Sequence, residues 1–336
     1  MKENTIEIDD LRLPNIFDKK LANGMNISLV EYGNLPLVNM QFIINIGSLS
    51  EIKHEQQWLT SFLANYLKEG SKRYNGTNII DLFASYGGSI DISSSDDNLF
   101  INAEVLSKFA TNAIQIIADI LRNPIFPIQE QKRIKDDLLR NLDLLQVDPQ
   151  ALTSVRLNYL IFQDHPYGRE FPQKNNLKKF SHSILKSFYK NAIDSTKTKV
   201  YVIGNFDINQ IDNQLENSFG DWEFGNGNVV KRPKLAQQNT WSLIDREEAH
   251  QSTIKLAMCL NNFSIDDYPR LIMINALLGG TFISRITTNI REDKGYSYSP
   301  ISQLSVDKQY CFWTQSADVS TEVTKESFQE IFFEIN

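Results

Sequence analysis

The chain has 336 residues, 41% of them apolar, with 34 basic against 41 acidic residues and a formal net charge of −7. That length buries a core of roughly two domains of about 150 residues each, and the acidic balance leaves no cation excess to neutralise a phosphate backbone, which excludes nucleic acid as a partner. The opening MKENTIEIDDLRLPN lacks the apolar core of a secretion signal, no basic amphipathic stretch suits a membrane surface, and no apolar run approaches the ~20 residues of a membrane span. The chain reads as soluble: periplasmic if a leader has been removed, otherwise cytoplasmic.

In chain order, NISLVEYG predicts a short strand and LVNMQFIINIG, beyond the turn at Asn34 to Pro36, its partner. Helices follow over about residues 55 to 69 and over NIIDLFASY, the second closed by Gly87-Gly88. SIDISSS and LFINAEVL form a hairpin split at Asp96-Asp97-Asn98, and the helical spacing of Phe109, Ala113, Ile116, Ile117 and Ile120 ends at Pro124. A long helix runs from about Gln129 to Leu145 and resumes after Asp148-Pro149 through Phe162. The loop HPYG, the helix ILKSFYKNA, the strand KVYVIGNF and the helix INQIDNQLENSF then complete a unit near Trp222.

The polar, glycine-bearing, proline-interrupted EFGNGNVVKRPKLAQQNT reads as a linker. Beyond it come a strand (STIKLAMCL), a helix (DYPRLIMINALLG), a glycine pair, a second helix (ISRITTNIRED), a strand pair (YSYSPISQL, YCFWTQSA) and a helix from Thr324. LFASYGGSIDIS of the first half lines up with IREDKGYSYSPIS of the second, which predicts one fold used twice. The expected division is a first domain over 1–225, a linker over 226–240 and a second, incomplete domain over 241–336.

Single residues give less. Cys259 and Cys311 are far apart without metal-type spacing and read as buried free thiols or as one disulfide. His54 and Glu55 are adjacent, so on a helix they point about 100° apart and suit an exposed helix start better than a shared metal. His165, His182 and His250 stand in loop or cap contexts that favour structural hydrogen bonds. On the helix near residue 60, Ser61 and Asn65 share a face with Ala64 beside them, and none of the three can ligate zinc. Arg291 ends a helix, Gly295 permits a turn and Tyr298 begins the next strand; a cation at the negative end of a helix dipole and a strand tyrosine explain these without function.

The stretch WLTSFLANYLKEGS resembles the G-L-A-H-x-x-E-H-x-L-x-x-G-[ST] segment of the pitrilysin (M16) family of inverse-motif zinc peptidases. The likeness covers nearly the whole chain through Asn23-Gly24, Pro36-Leu37-Val38, Gly47-Ser48, Tyr86-Gly87-Gly88, Asn123-Pro124, Phe126-Pro127, Asp148-Pro149, His165-Pro166-Tyr167-Gly168 and Gly204-Asn205-Phe206-Asp207. It implies an α+β fold of two homologous pitrilysin-type domains, with helices packed on mainly antiparallel sheets. The family's zinc histidines fall on Ser61 and Asn65, its catalytic glutamate on Ala64 and its distal glutamate ligand on Asn141, so no metal is expected in this chain.

The family's R-x6-Y pair, by contrast, matches Arg291 and Tyr298. This combination resembles the inactive, non-zinc subunit of two-chain members. The resemblance implies that Arg291 and Tyr298 act in trans on a peptide substrate held by a zinc-bearing partner subunit, with a homodimer allowed in isolation. Gly279, Gly280 and Thr281 stand where related non-catalytic subunits carry a substrate-guiding glycine loop; a cap and tight turn is the plainer reading. The alternative from another class is a scaffold or binding protein of the same fold with no role in proteolysis.

Overall fold

The computed structural model describes residues 14–223, 225, 235, 240–260, 263–306 and 310–336. The expected linker, 226–240, lies outside the described residues apart from residues 235 and 240. Two compact units form. The first takes the described residues up to Leu138 and those from Asn175 through residue 225. The second takes Leu139–Lys174 and the described residues from Leu235 onward, so a segment that sequence order places in the first domain packs within the second unit.

In the first unit β1 (Phe17–Lys20), β2 (Asn26–Glu31), β3 (Leu37–Ile44), β4 (Ser89–Ser94), β5 (Leu99–Leu106) and β6 (Thr198–Gly204) make one sheet ordered β1-β2-β6-β3-β5-β4. The predicted β2–β3 pair does not form. β6 lies between them, parallel to β2 and antiparallel to β3. Its Val200 and Val202 are buried like the strand residues on either side, and a strand inserted from so far along the chain leaves no mark in local pattern. β3 and β5 alternate as half-buried strands should: Val38, Met40, Phe42 and Ile44 with Leu99, Ile101, Ala103 and Val105 enter the core, while Gln41 and Asn102 hydrogen-bond to each other at 2.9 Å on the open face.

The helices through this region are α1 (Leu59–Leu67), α2 (Gly76–Ser85), α3 (Ala110–Arg122), α4 (Gln131–Val147), α5 (Pro149–Phe162), α6 (Lys174–Lys179), α7 (His182–Ala192) and α8 (Ile208–Phe219). α1 starts later than its pattern suggests because His54–Gln56 forms a separate 3-10 turn and Trp58 is left-handed (φ 71°). The buried Glu51 carboxylate accepts the N–H groups of Trp58 (2.9 Å) and Thr60 (2.8 Å), satisfying donors that a helix start leaves open. Leu59, Phe62, Leu63, Tyr66 and Leu67 of α1 are then fully buried.

In the second unit β7 (Gln251–Cys259), β8 (Ile301–Val306) and β9 (Cys311–Ser320) form an antiparallel sheet ordered β7-β9-β8. α9 (Tyr268–Asn275) runs into a π turn at Ala276–Gly280, α10 (Arg285–Thr287) into another at Thr288–Asp293, and α11 (Thr324–Ile335) follows β9. Ile254, Ile286, Ile290, Trp313, Ala317, Val319 and Ile331 make its core. The opposite sheet face carries α5: Gln150 Nε2 donates to Asp318 Oδ2 (2.8 Å), Lys255 bonds Ser154 Oγ, and Phe162 meets Tyr310 and Phe312 at 5.1 and 5.9 Å. These contacts hold residues 139–174 in this unit.

The expected repeat is present: β3-β5-β4 and β7-β9-β8 share order and direction, with two helices before each hairpin. Cys259 and Cys311 are free; Cys259 lies opposite Phe312 in the ladder, so the two thiols leave opposite faces and cannot bridge. Among the described residues one helical stretch, Ile265–Asp293, is long and apolar enough to cross a membrane by length and composition alone. Its backbone leaves the helix at Thr281 (φ −131°, ψ 162°). A break of that kind frees backbone groups that a lipid-facing helix keeps paired.

Gly88 gives a test of the first sheet. A Cβ there would lie 1.7 Å from the Glu104 carbonyl oxygen of β5, whereas one at Gly33 (φ +88°) meets nothing within 4 Å. Gly88→Ala is expected to cost about 1–3 kcal/mol or more, and Gly33→Ala about 1 kcal/mol. Urea midpoints compared at equal m-value read both.

Candidate functional site

α1 brings the zinc-motif positions of the first unit onto one face, and their side chains are turned inward on the protein. Ser61 Oγ lies 3.0 Å from Ser94 Oγ of β4, and Asn65 Nδ2 donates back to the Ser61 carbonyl at 3.0 Å. Ala64 is buried. The neighbouring Tyr66 hydroxyl is also buried, and burial, aided by the charges of Glu69 and Glu130, pushes its pKa up to about 12. A hydroxyl, a methyl and an amide cannot hold zinc, and Tyr66 stays neutral near pH 7, so this helix face supplies neither ligands nor a base.

Asn141 sits exposed on α4 in the residues of the second unit. Among the described residues no group of three or more His, Cys, Asp and Glu side chains gathers as a metal site. His54 and Glu55 are exposed on the 3-10 turn. His165 Nδ1 accepts the Tyr167 N–H (3.3 Å), His182 packs against Phe126 and the His250 carbonyl accepts from Thr321.

The second unit assembles a different group. Arg291 stands on the π turn that continues α10, and the backbone then reverses at Gly295 (φ +66°). The Ile290 carbonyl accepts the N–H groups of Tyr296 (2.8 Å) and Ser297 (3.2 Å), which ties the outgoing chain to the helix end. The sequence suggests a strand from Tyr298; Ser297 makes one antiparallel bridge to Val319, but Tyr298 itself is a bend and regular β8 begins at Ile301, after Pro300, which has no N–H to donate to a ladder. The loop brings Tyr298 back to Arg291, whose guanidinium carbon lies 5.0 Å from the Tyr298 ring centroid.

The same carbon lies 3.9 Å from the ring centroid of Phe282, and Arg291 Nε pairs with Glu292 Oε1 at 3.1 Å. The Arg291 side chain is 23% exposed beneath rings that are themselves open, Phe282 at 61% and Tyr298 at 82%. Sequence reasoning reached the arginine and the tyrosine but not Phe282 or Glu292; a phenylalanine after a glycine pair carries no signal until the π turns set its direction. α11 steadies the helix end, with Asn289 Nδ2 donating to Glu330 and Glu334 and Lys294 pairing with Glu330. The Glu330 carboxyl is held below its usual range, chiefly by the Asn289 bond.

The glycine pair packs rather than opens. Gly279 is buried where a Cβ would lie 2.6 Å from Gln315 Oε1 and 2.8 Å from Ser302 Oγ, and at Gly280 it would lie 2.4 Å from Asn275 Nδ2. Thr281 Oγ1 donates to the Ala276 carbonyl at 3.0 Å, closing the π turn.

Comparison with known proteins fits this geometry. Residues 31–173 match Insulinase (Peptidase family M16), and residues 179–336 match Peptidase M16 inactive domain. A Bacillus subtilis protein named "Uncharacterized zinc protease YmxG" is 24% identical over 287 residues, spanning 84% of this chain and 68% of that protein. A Helicobacter pylori protein named "Non-peptidase homolog YmxG" is 23% identical over 262 residues, spanning 75% and 58%. The crystal structure of a peptidase M16 inactive domain from Pseudomonas fluorescens shares the fold with a TM-score of 0.84 at 18% identity, covering 96% of this chain and 78% of that one. With its two halves matched in order and the zinc-motif face of α1 carrying Ser61, Ala64 and Asn65, the chain belongs to peptidase family M16 and is of its inactive type.

Proposed function

We propose that this chain is the non-zinc subunit of an M16-type metallopeptidase heterodimer and contributes Arg291 and Tyr298 in trans to a peptide held at a partner's zinc. The observation that carries the reading is the contrast between two places. Zinc-ligating chemistry is absent from Ser61, Ala64, Asn65 and Asn141, while Arg291 and an exposed Tyr298 stand together.

In the partner, zinc supplies Lewis acidity and activated water. This chain's part is positioning and charge. The Arg291 Nη groups have no protein acceptor among the described residues, because the ion pair with Glu292 uses Nε. They suit a peptide carbonyl oxygen, and the Tyr298 hydroxyl adds a neutral donor. Donors of this kind bind the oxygen more tightly as it gains negative charge, so they lower the barrier more than they tighten ground-state binding. Gly279, Gly280 and Thr281 serve this site by holding the Phe282 loop in place, with substrate contact a further role for Thr281.

A second reading, a scaffold or binding protein of M16 fold without a part in proteolysis, is favoured by the Helicobacter pylori relative's name, non-peptidase homolog. Mixing this chain with an intact M16 zinc subunit separates the two. Cleavage of a fluorogenic peptide is expected to rise on mixing, Arg291→Ala to lower kcat/KM about 10²-fold and Tyr298→Phe about tenfold, with complex formation unchanged by gel filtration. Stimulation equal to zero, or variants as active as the parent chain, supports the scaffold.

Zinc content is an independent check. The purified chain, incubated with zinc and dialysed, is expected to hold well under one ion per molecule by plasma mass spectrometry. Near-stoichiometric zinc would remove the basis for a partner's metal.

A further inference from the structure

The Arg291 guanidinium carbon lies over the Phe282 ring, 3.9 Å from its centroid, and over the Tyr298 ring at 5.0 Å. Faces covered by aromatic rings leave a guanidinium to bond in its own plane, through the Nη edge. The shorter contact is to Phe282, and the loop that carries this ring is built to hold it. Ser284 Oγ donates to the Thr281 carbonyl (2.7 Å) and lies 3.0 Å from Thr287 Oγ1, with Ser284 and Thr287 buried, and Thr281 is tied to Ala276. Held at both ends, the loop leaves Phe282 exposed, which forfeits the burial that a phenyl ring would gain in a core. Its neighbour Ile283 is more exposed still, at 87%.

We infer that Phe282 is a positioning and specificity-determining residue. Its ring restricts where the Arg291 guanidinium sits, and the free part of the ring forms an apolar wall beside the carbonyl oxygen that Arg291 takes. The ligand class is an extended peptide with an aromatic or large aliphatic side chain next to the bound carbonyl. This rests on reading Arg291 and Tyr298 as peptide-contacting groups, and it does not require the partner subunit. An in-plane guanidinium gives a direction to the carbonyl. A ring wall turns that direction into a choice of side chain, since burying a phenyl against a ring is favourable and burying a hydroxymethyl there is not.

The test uses the full chain and two fluorescein-labelled decapeptides, acetylated and amidated so that no terminal carboxylate competes, identical except for Phe or Ser at the centre. Fluorescence anisotropy is expected to show the Phe peptide bound about five- to tenfold more tightly. Phe282→Ala brings that ratio to near one, Phe282→Trp retains it and Ile283→Ala leaves it unchanged. Arg291→Ala weakens both peptides together. The exposed position of Phe282 allows these changes without unfolding, which circular dichroism verifies.

A wild-type ratio of one, no binding of either peptide, or a ratio that Phe282→Ala leaves intact overturns the assignment, whatever the mixed-subunit assay reports. A Phe282-dependent ratio with no stimulation of a zinc subunit overturns the subunit reading alone and leaves this one standing.

Discussion

A guanidinium stays charged at any pH a protein survives, so where Arg291 can sit is decided by what replaces its water. Among the described residues the one carboxylate paired with Arg291 is Glu292, at Nε, and the side chain is nonetheless about three-quarters covered. The two aromatic rings supply the rest. Their stabilisation is electrostatic and geometrically forgiving, on the order of 0.5–2 kcal/mol each, and it leaves the outer donors unspent. A second carboxylate in place of either ring would have bonded those outer donors. The helix beneath is fixed against α11 by Arg285 to Glu334, Asn289 to Glu330 and Glu334, and Lys294 to Glu330. Exposed ion pairs contribute little singly, about 0–1 kcal/mol, but several on one side of a short helix restrict its rotation and so the direction of Arg291.

The α1 face obeys the opposite logic. Two histidines and a glutamate crowded on adjacent turns are stable when an ion neutralises and orders them, and they are a liability without one. Ser61, Ala64 and Asn65 remove that dependence. Ser61 Oγ meets the Ser94 hydroxyl, Asn65 Nδ2 donates to the Ser61 carbonyl, and Ala64 adds helix propensity where the carboxylate would stand. Glu51 still caps the helix from beneath and the buried face from Leu59 to Leu67 is intact, so α1 continues as a packing element.

Most helices and the two hairpins were legible because their signals are local: Asp148 and Pro149 at the start of α5, and Asn75 capping α2 through the Asn78 N–H. What escaped is non-local or unpatterned. β1 reads FDKK, an edge strand defined by its ladder to β2 and not by apolar residues, and α6 reads KNNLKK, with only Leu177 buried. No local rule placed β6 between β2 and β3 or α5 against the second sheet. At the site, the spacing of Arg291 and Tyr298 was legible, but their meeting was not, because it depends on a π turn and on β8 waiting until after Pro300.

That delay separates the two halves of the repeat. Gly87 (φ +75°) and Gly295 (φ +66°) make the same left-handed exit from the helix before the hairpin, a backbone demand that almost only glycine meets cheaply. In the first half the strand begins at once, at Ser89, with Gly88 pressed against the Glu104 carbonyl and no room for a side chain. In the second half Ser297 makes one antiparallel bridge to Val319, Tyr298 to Pro300 then leave the ladder, and regular pairing starts only at Ile301. A repeated scaffold keeps the turn because every alternative is strained. The two copies differ after that turn, where the second returns Tyr298 to Arg291 and the first goes straight into its strand.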